Sequence, residues 1–303
     1  MNIFITGASG YIGSILVKSL SKHFSIVAGS QKKISPLLKI QNIKYKIVNY
    51  KSVKSLEKNL ENIDAIIHLV EMNKVKCEKK KTKSLVFKEK VTLNIIKACK
   101  YNKIKKLIYL SSSQVYKDFQ KKSVNEKSKL DKVDPYSLSH LLAEKIILSE
   151  NIENYTIIRA SNIFEIFEKK KYGEQKNNLV HSLIDEAIKY NSITLKNPNI
   201  KKNFLPISIL IANIKLILNS NKYDGKIMNL GFKSMSLYNL AKKIKDRFKS
   251  LKNKKINILI TQKLNNKKSN HKYTSLIKKF AYSQKKFIIE IDNIINLLMK
   301  KNV

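Results

Sequence analysis

The chain has 303 residues, 43% of them hydrophobic, enough to bury one large core or two moderate ones, and no apolar run approaches the ~18 residues of a membrane span. Its formal charge of +39 rests on 61 basic residues, of which only Arg159 and Arg247 are arginine. Lysine spread along the whole chain among Ile and Asn fits AT-rich coding. Without the arginine forks and aromatic clusters that read bases and phosphates, it argues against specific nucleic-acid recognition and predicts only salt-sensitive sticking.

In chain order, short β-branched runs alternate with longer helical patterns. Strands are expected at 2–6, 24–28, 44–48, 65–70, 106–110 and 155–159, and helices at 11–22, 52–60, 84–101 and 135–150. Six strands with intervening helices describe an α/β, doubly wound parallel sheet. The second half is less regular, with a helix near 178–190, a return segment at 204–219, a strand at 226–230 and a helix at 236–249. The Lys-rich stretches 73–83 and 249–268 are expected to be solvated loops or faces. The start, MNIFITGASG, carries no positive n-region or cleavage site of a signal peptide, and Cys77 and Cys99 sit in no metal-ligand spacing. His23, His181 and His271 form no cluster. The expectation is a cytoplasmic protein without a metal.

The clearest motif is NIFITGASGYIGS, a strand running into Gly7, Gly10 and Gly13 and then a helix. Glycines there allow a tight turn and close backbone approach. A pyrophosphate can then meet the amides of Gly10, Tyr11, Ile12 and Gly13 at the positive end of the helix dipole. The GxxGxxG spacing resembles the short-chain dehydrogenase/reductase superfamily, and the length resembles its extended branch, the NAD-dependent epimerase/dehydratase family that modifies nucleotide sugars. Further motifs extend the resemblance along the chain. DAIIHLV (64–70) is similar to the strand usually followed by a small-residue cofactor contact, and TLNIIKAC (92–99) to the next helix. YLSSSQVY (109–116) is similar to the strand end with the catalytic Ser or Thr, PYSLSHLLAE (135–144) to the tyrosine helix, and IIRASNIF (157–164) to the segment turning toward substrate. KKNFLPIS (201–208) and KIMNLGFKSMSLYNLAKKI (226–244) match weaker C-terminal hallmarks in order.

The resemblance implies an NAD(P)-binding Rossmann domain over 1–160. It implies a smaller, mainly substrate-binding domain over 161–303, from which 203–230 returns to the sheet. Leu69 and Val70 would contact the dinucleotide. After the second strand, VAGSQKK offers no acid for a ribose 2′-hydroxyl; Ser30, Lys32 and Lys33 are placed to receive a 2′-phosphate, so the reading leans to NADP within NAD(P). Asn49 stands where the family tends to place an Asp near the adenine.

Asp134 and Pro135 suit the cap and first position of a helix on which Tyr136 and His140 share one face at i and i+4. Packing alone would also give that spacing; the resemblance implies Tyr136 as the acid/base residue. The family has lysine four residues after this tyrosine, where its charge favours phenolate; this chain has His140. Three readings follow in order: histidine in the lysine's role, rescue by another nearby lysine, or a site that binds cofactor but turns over poorly. Ser112 aligns with the catalytic Ser/Thr, with Ser113 as the neighbour that would replace it; both are candidate substrate contacts. Dehydratases carry an acidic pair next, where this chain has Ser113 and Gln114, which disfavours water loss. Lys88 stands at the position of the family's asparagine. Asn162 resembles an asparagine that reaches a substrate phosphate, with loop capping as its alternative, and Arg159 either pairs with a phosphate or anchors a strand end. His68 is expected to be structural. The function implied is an NAD(P)-dependent nucleotide-sugar epimerase, with a ketosugar reductase or a non-catalytic dinucleotide-binding protein as alternatives. A homodimer through helices 84–101 and 135–150 is also implied.

Overall fold

A computed structural model describes residues 1–34, 40–41, 43–117, 123–130, 134–152, 154–164, 179–261, 272–277 and 284–300. The chain forms two compact units, the first comprising 1–117, 129–159 and 211–228, the second 118–128, 160–210 and 229–303.

The first unit is built on β1 (Asn2–Ile5), β2 (Ser25–Ser30), β3 (Lys44–Ile47), β4 (Ala65–His68), β5 (Lys106–Ser112) and β6 (Tyr155–Ala160). Its helices are α1 (Tyr11–Leu20), α2 (Val53–Asn59), α3 (Lys74–Lys79), α4 (Lys81–Tyr101) and α5 (Pro135–Ser149). After β7 (Asn162–Phe164), α6 (Leu179–Tyr190), β8 (Ser192–Leu195) and β9 (Lys201–Pro206), the chain returns through α7 (Ile207–Leu218) to β10 (Lys226–Leu230). The sheet order β10-β6-β5-β4-β1-β2-β3 is that of a doubly wound fold, and the pairings β1 with β2, β1 with β4, β2 with β3 and β4 with β5 are parallel. All four residues of β4 are buried, as expected of a central strand covered on both faces, whose sequence therefore shows no alternation.

One buried lysine explains the return to the sheet. Lys106, 5% exposed, donates to the carbonyl oxygens of Ile217 (2.9 Å) and Ser220 (2.8 Å) and pairs with Asp224 (3.1 Å). A cation on the last carbonyls of α7 satisfies groups that have no partner within the helix and opposes its dipole.

In the second unit, β11 (Lys233–Ser236), β9 and β7 form one small sheet, and β8 pairs parallel with β12 (Asn257–Ile260). Helices α6, α8 (Leu237–Lys252) and α9 (Gln284–Lys300) close a core around Phe164, Phe204, Phe248 and Phe287.

The Lys-rich 73–83 stretch is a solvated face rather than a loop: its lysines are exposed on α3, which Asn73 caps through its side chain, and on the start of α4, while Cys77 is fully buried. In 249–268, α8 continues to Lys252 and β12 follows; 262–268 lies outside the described residues. Strand β4 ends two residues early because Thr6 Oγ1 draws off the Leu69 amide (2.9 Å). Among the described residues, no helix is long and apolar enough to cross a membrane, and no group of three His, Cys, Asp or Glu is placed to hold a metal.

Candidate active site

The glycine turn follows β1 directly. Gly7 has φ +67°, a conformation costly for other residues, and its amide donates to the Tyr50 hydroxyl (3.2 Å). A Cβ on Gly13 would lie 2.2 Å from the Gly7 carbonyl oxygen, so the helix can rest against the turn only because Gly13 lacks a side chain. Gly10 is the N-cap of α1, and no side chain caps the helix. Tyr11, Ile12 and Gly13 thus open a helix whose positive dipole end faces the turn. The residues therefore fit a dinucleotide pyrophosphate.

Leu69 and Val70 cross the same turn, their backbone 3.4 Å from where a Gly7 Cβ would stand. At the end of β2, Ser30 is buried and bonded to the Ser9 hydroxyl (3.0 Å), while Lys32 and Lys33 are exposed. Asn49 is exposed, and its side-chain oxygen accepts from the Lys51 amide (3.0 Å), a local turn before α2.

Helix α5 starts as its sequence requires: Asp134 accepts from the Ser137 amide (3.0 Å) and Pro135 occupies the first turn. Ser112, at the end of β5, is near enough to the Tyr136 phenol to act on its acidity, so the structure brings these two predicted residues together. Burial, then the nearby Glu71 charge, pushes the Tyr136 phenol above its usual range, and Ser112 opposes them. Ser113 is buried and opens a short 3₁₀ turn over Ser113–Val115.

His140 meets Tyr136 edge-on, with ring centroids 4.7 Å apart. It is 4% exposed, and its Nδ1 is 2.8 Å from the Tyr109 hydroxyl. Burial lowers its pKa to about 4, with Lys88 acting in the same direction and Glu71 and Asp134 against it, so the imidazole is neutral near pH 7.

Sequence reasoning missed Glu71 as part of this site and gave Lys88 only a lost role. Lys88, 1% exposed, donates to the Val70 carbonyl (2.8 Å), pairs with Glu71 Oε2 (3.0 Å) and lies 4.8 Å from the Tyr109 ring centre. Glu71 Oε2 is in turn 3.7 Å from His140 Nε2. The available signal was an acid at the position following DAIIHLV, where the family places a small residue.

The remaining polar candidates have structural partners. Arg159 is buried and grips Glu144 through Nε (3.1 Å to Oε1) and Nη2 (2.6 Å to Oε2), while Nη1 donates to the Tyr116 hydroxyl (2.9 Å). Of its two sequence readings, the strand anchor is the one occupied. His68 is buried, stacked on Tyr109 and 3.1 Å from Thr6 Oγ1. Asn162, in the second unit, donates to the Asn203 carbonyl (2.8 Å), a bond within the β7–β9 sheet.

Known proteins give the arrangement its context. Over 272 residues the chain is 29% identical to a dTDP-D-glucose 4,6-dehydratase of Dictyostelium discoideum, a match covering 80% of this chain and 61% of that protein. The chain thus spans less than two thirds of that relative's length. A solved UDP-N-acetylglucosamine 4-epimerase of Methanobrevibacter ruminantium, in complex with UDP-N-acetylmuramic acid, has the same fold at TM-score 0.79 and 20% identity, over 99% of this chain and 98% of that one. So does a UDP-glucuronic acid 4-epimerase of Bacillus cereus with UDP-glucuronic acid and NAD, at TM-score 0.76 and 20% identity, over 98% and 100%. Residues 3–231 match a family description that includes the glycine turn, the Ser112 strand and the Tyr136 helix, and the chain belongs to the NAD dependent epimerase/dehydratase family.

Proposed function

We propose that this protein is an NAD(P)-dependent nucleotide-sugar epimerase in which Tyr136 exchanges a proton with a sugar hydroxyl. The observation that carries the reading is the approach of Ser112 to Tyr136 in the unit that also holds the glycine turn. In this reading Gly7, Gly10, Tyr11, Ile12 and Gly13 hold the pyrophosphate, Ser30 and Lys32 the adenosine ribose, and Asn49 the adenine. Leu69 and Val70 line the path to the nicotinamide, and His140 lies behind Tyr136 on the same helix. A nicotinamide held there would supply the hydride acceptor and donor.

Ser112 orients the sugar oxygen and donates to it as negative charge develops there, while Tyr136 takes the proton and later gives it back. Ser113 adds a polar contact. Ser113 and Gln114 offer no acid or base for water loss, which favours epimerisation over dehydration despite the likeness to a dehydratase. Asn162 and the second unit are proposed to hold the nucleotide-diphosphate end of the substrate. The cytoplasm is the proposed compartment, consistent with two buried free cysteines.

A homodimer through α4 and α5 is proposed on their exposed apolar residues Val86 and Leu148 (57% and 43%). Light scattering should show a dimer that Val86→Glu turns into a monomer; a monomeric parent protein contradicts it.

The functional test is product analysis with a panel of nucleotide sugars. The expected result is an epimer formed without net release of reduced dinucleotide, lost in Tyr136→Phe. Stoichiometric release of oxidised dinucleotide with a reduced sugar would instead establish the ketosugar reductase, and activity surviving in Tyr136→Phe would refute the assignment.

A further inference from the structure

The buried lysine at 88 has no counterpart among the surface lysines of this chain. Lys106, which is also buried, closes the end of a helix, whereas Lys88 sits in the middle of α4 with its ammonium fully enclosed. Burying an ammonium costs several kcal/mol unless partners compensate it. Its partners form a closed ring: Lys88 to Glu71 (3.0 Å), Glu71 to His140 (3.7 Å), His140 to the Tyr109 hydroxyl (2.8 Å), and the Tyr109 ring under Lys88 (4.8 Å). Tyr136 rests edge-on against His140.

Three departures from the family resemblance meet in this ring. An acid, Glu71, stands where a small residue is usual, a cation, Lys88, replaces an asparagine, and His140 replaces the lysine. We propose that the positive charge of this site has moved from α5 to α4. Lys88, held by Glu71, is the positioning residue that sets the proton affinity of Tyr136, and His140 is the neutral link between them. The proposal rests on the reading of Tyr136 as the acid/base residue.

The hydrogen-bond pattern follows from the charges. Glu71 faces Nε2 of His140 and favours the tautomer with its proton there; Nδ1 then accepts from Tyr109. Glu71 opposes phenolate formation at Tyr136, and Lys88, paired with it at 3.0 Å, offsets part of that charge. The other titratable or polar groups facing Tyr136 and His140 are His68 on β4, Cys77 on α3, Ser112 on β5 and Asp134 at the start of α5, with Glu144 acting on Tyr109.

The test is a titration of tyrosinate absorbance in dinucleotide-free protein, with Tyr136→Phe subtracted, in Glu71→Gln, Lys88→Met and the exchange Lys88→Asn/His140→Lys. Removing the anion should strengthen Tyr136 as an acid about tenfold, and removing the cation should weaken it by a similar factor, one pKa unit in opposite directions. The exchange, which returns the charge to α5 beside Glu71, should bring the titration down to or below the parent value. If Lys88→Met does not fold, Glu71→Gln and the exchange carry the test. Variants that melt earlier but leave the Tyr136 titration in place, or move it in one common direction, would make the ring purely structural and overturn the proposal. Because the titration needs no turnover, a protein inactive on every sugar would refute the functional reading without deciding this one.

Discussion

Replacing Gly13 by alanine probes the turn on which dinucleotide binding depends. The added Cβ would meet the Gly7 carbonyl oxygen at 2.2 Å, the Gly7 carbonyl carbon at 2.9 Å and Ala8 Cα at 3.0 Å. These are backbone atoms, so no side chain can swing away and the turn itself must open. Overpacking of this kind costs about 1–3 kcal/mol, and displacing the amides that receive the pyrophosphate adds to the loss. At about 1.4 kcal/mol per factor of ten, dinucleotide affinity should fall by about 10- to 100-fold for NAD and NADP alike. Fluorescence titration with both dinucleotides measures this, beside a thermal melt. The control is Gly225→Ala, at φ +68°, where the glycine amide bonds the Tyr155 carbonyl (2.8 Å) far along the chain from the turn. It should lose stability to a similar strain while keeping its affinity. Parent-like binding by Gly13→Ala would refute the close approach and, with it, the assignment of the turn.

Three further outcomes are expected. Arg159→Met should destabilise the fold by about 3–5 kcal/mol in chemical denaturation, because it leaves the Glu144 carboxylate buried without its partner; Arg159→Met/Glu144→Leu should recover much of that, and a mild single variant would contradict the anchor role. His140 has a folded pKa of about 4 against 6.5 unperturbed, so between those values the unfolded chain binds more protons and stability rises with pH. That contribution, about 3 kcal/mol, is complete above pH 6.5 and lost toward pH 4; His140→Gln should flatten the corresponding part of the stability profile, and an unchanged slope would contradict a neutral buried histidine. Ser112→Ala should slow turnover about 100-fold or more with little change in dinucleotide affinity, and a loss confined to affinity would place Ser112 outside the reacting centre.

Much of the first unit was legible because its signals are local. Apolar β-branched runs mark β1, β4 and β5, three glycines mark the turn, and Asp134–Pro135 marks the start of α5. Helix α3 was hidden because Val75 and Cys77 are its only apolar residues, and Cys77 alone of the helix is buried. The charge ring was hidden too. Positions 71, 88, 109 and 140 have no sequence relation, and a lysine on a lysine-rich helix reads as solvated until the packing places it at 1% exposure. Arg159 offered two roles that only the position of Glu144, on a different element, could separate. Asn49 and Asn162 followed motif position, whereas their side-chain bonds are spent on a local turn and on a strand neighbour.

The most direct measurement is single-turnover absorbance at the nicotinamide band, mixing the dinucleotide-loaded protein with nucleotide sugars in turn. The account predicts that one sugar transiently reduces the bound dinucleotide, that the signal returns as the epimer forms, and that Tyr136→Phe abolishes both phases. A loaded protein whose nicotinamide band no nucleotide sugar changes would contradict the claim that Tyr136 and Ser112 perform hydride-coupled proton exchange.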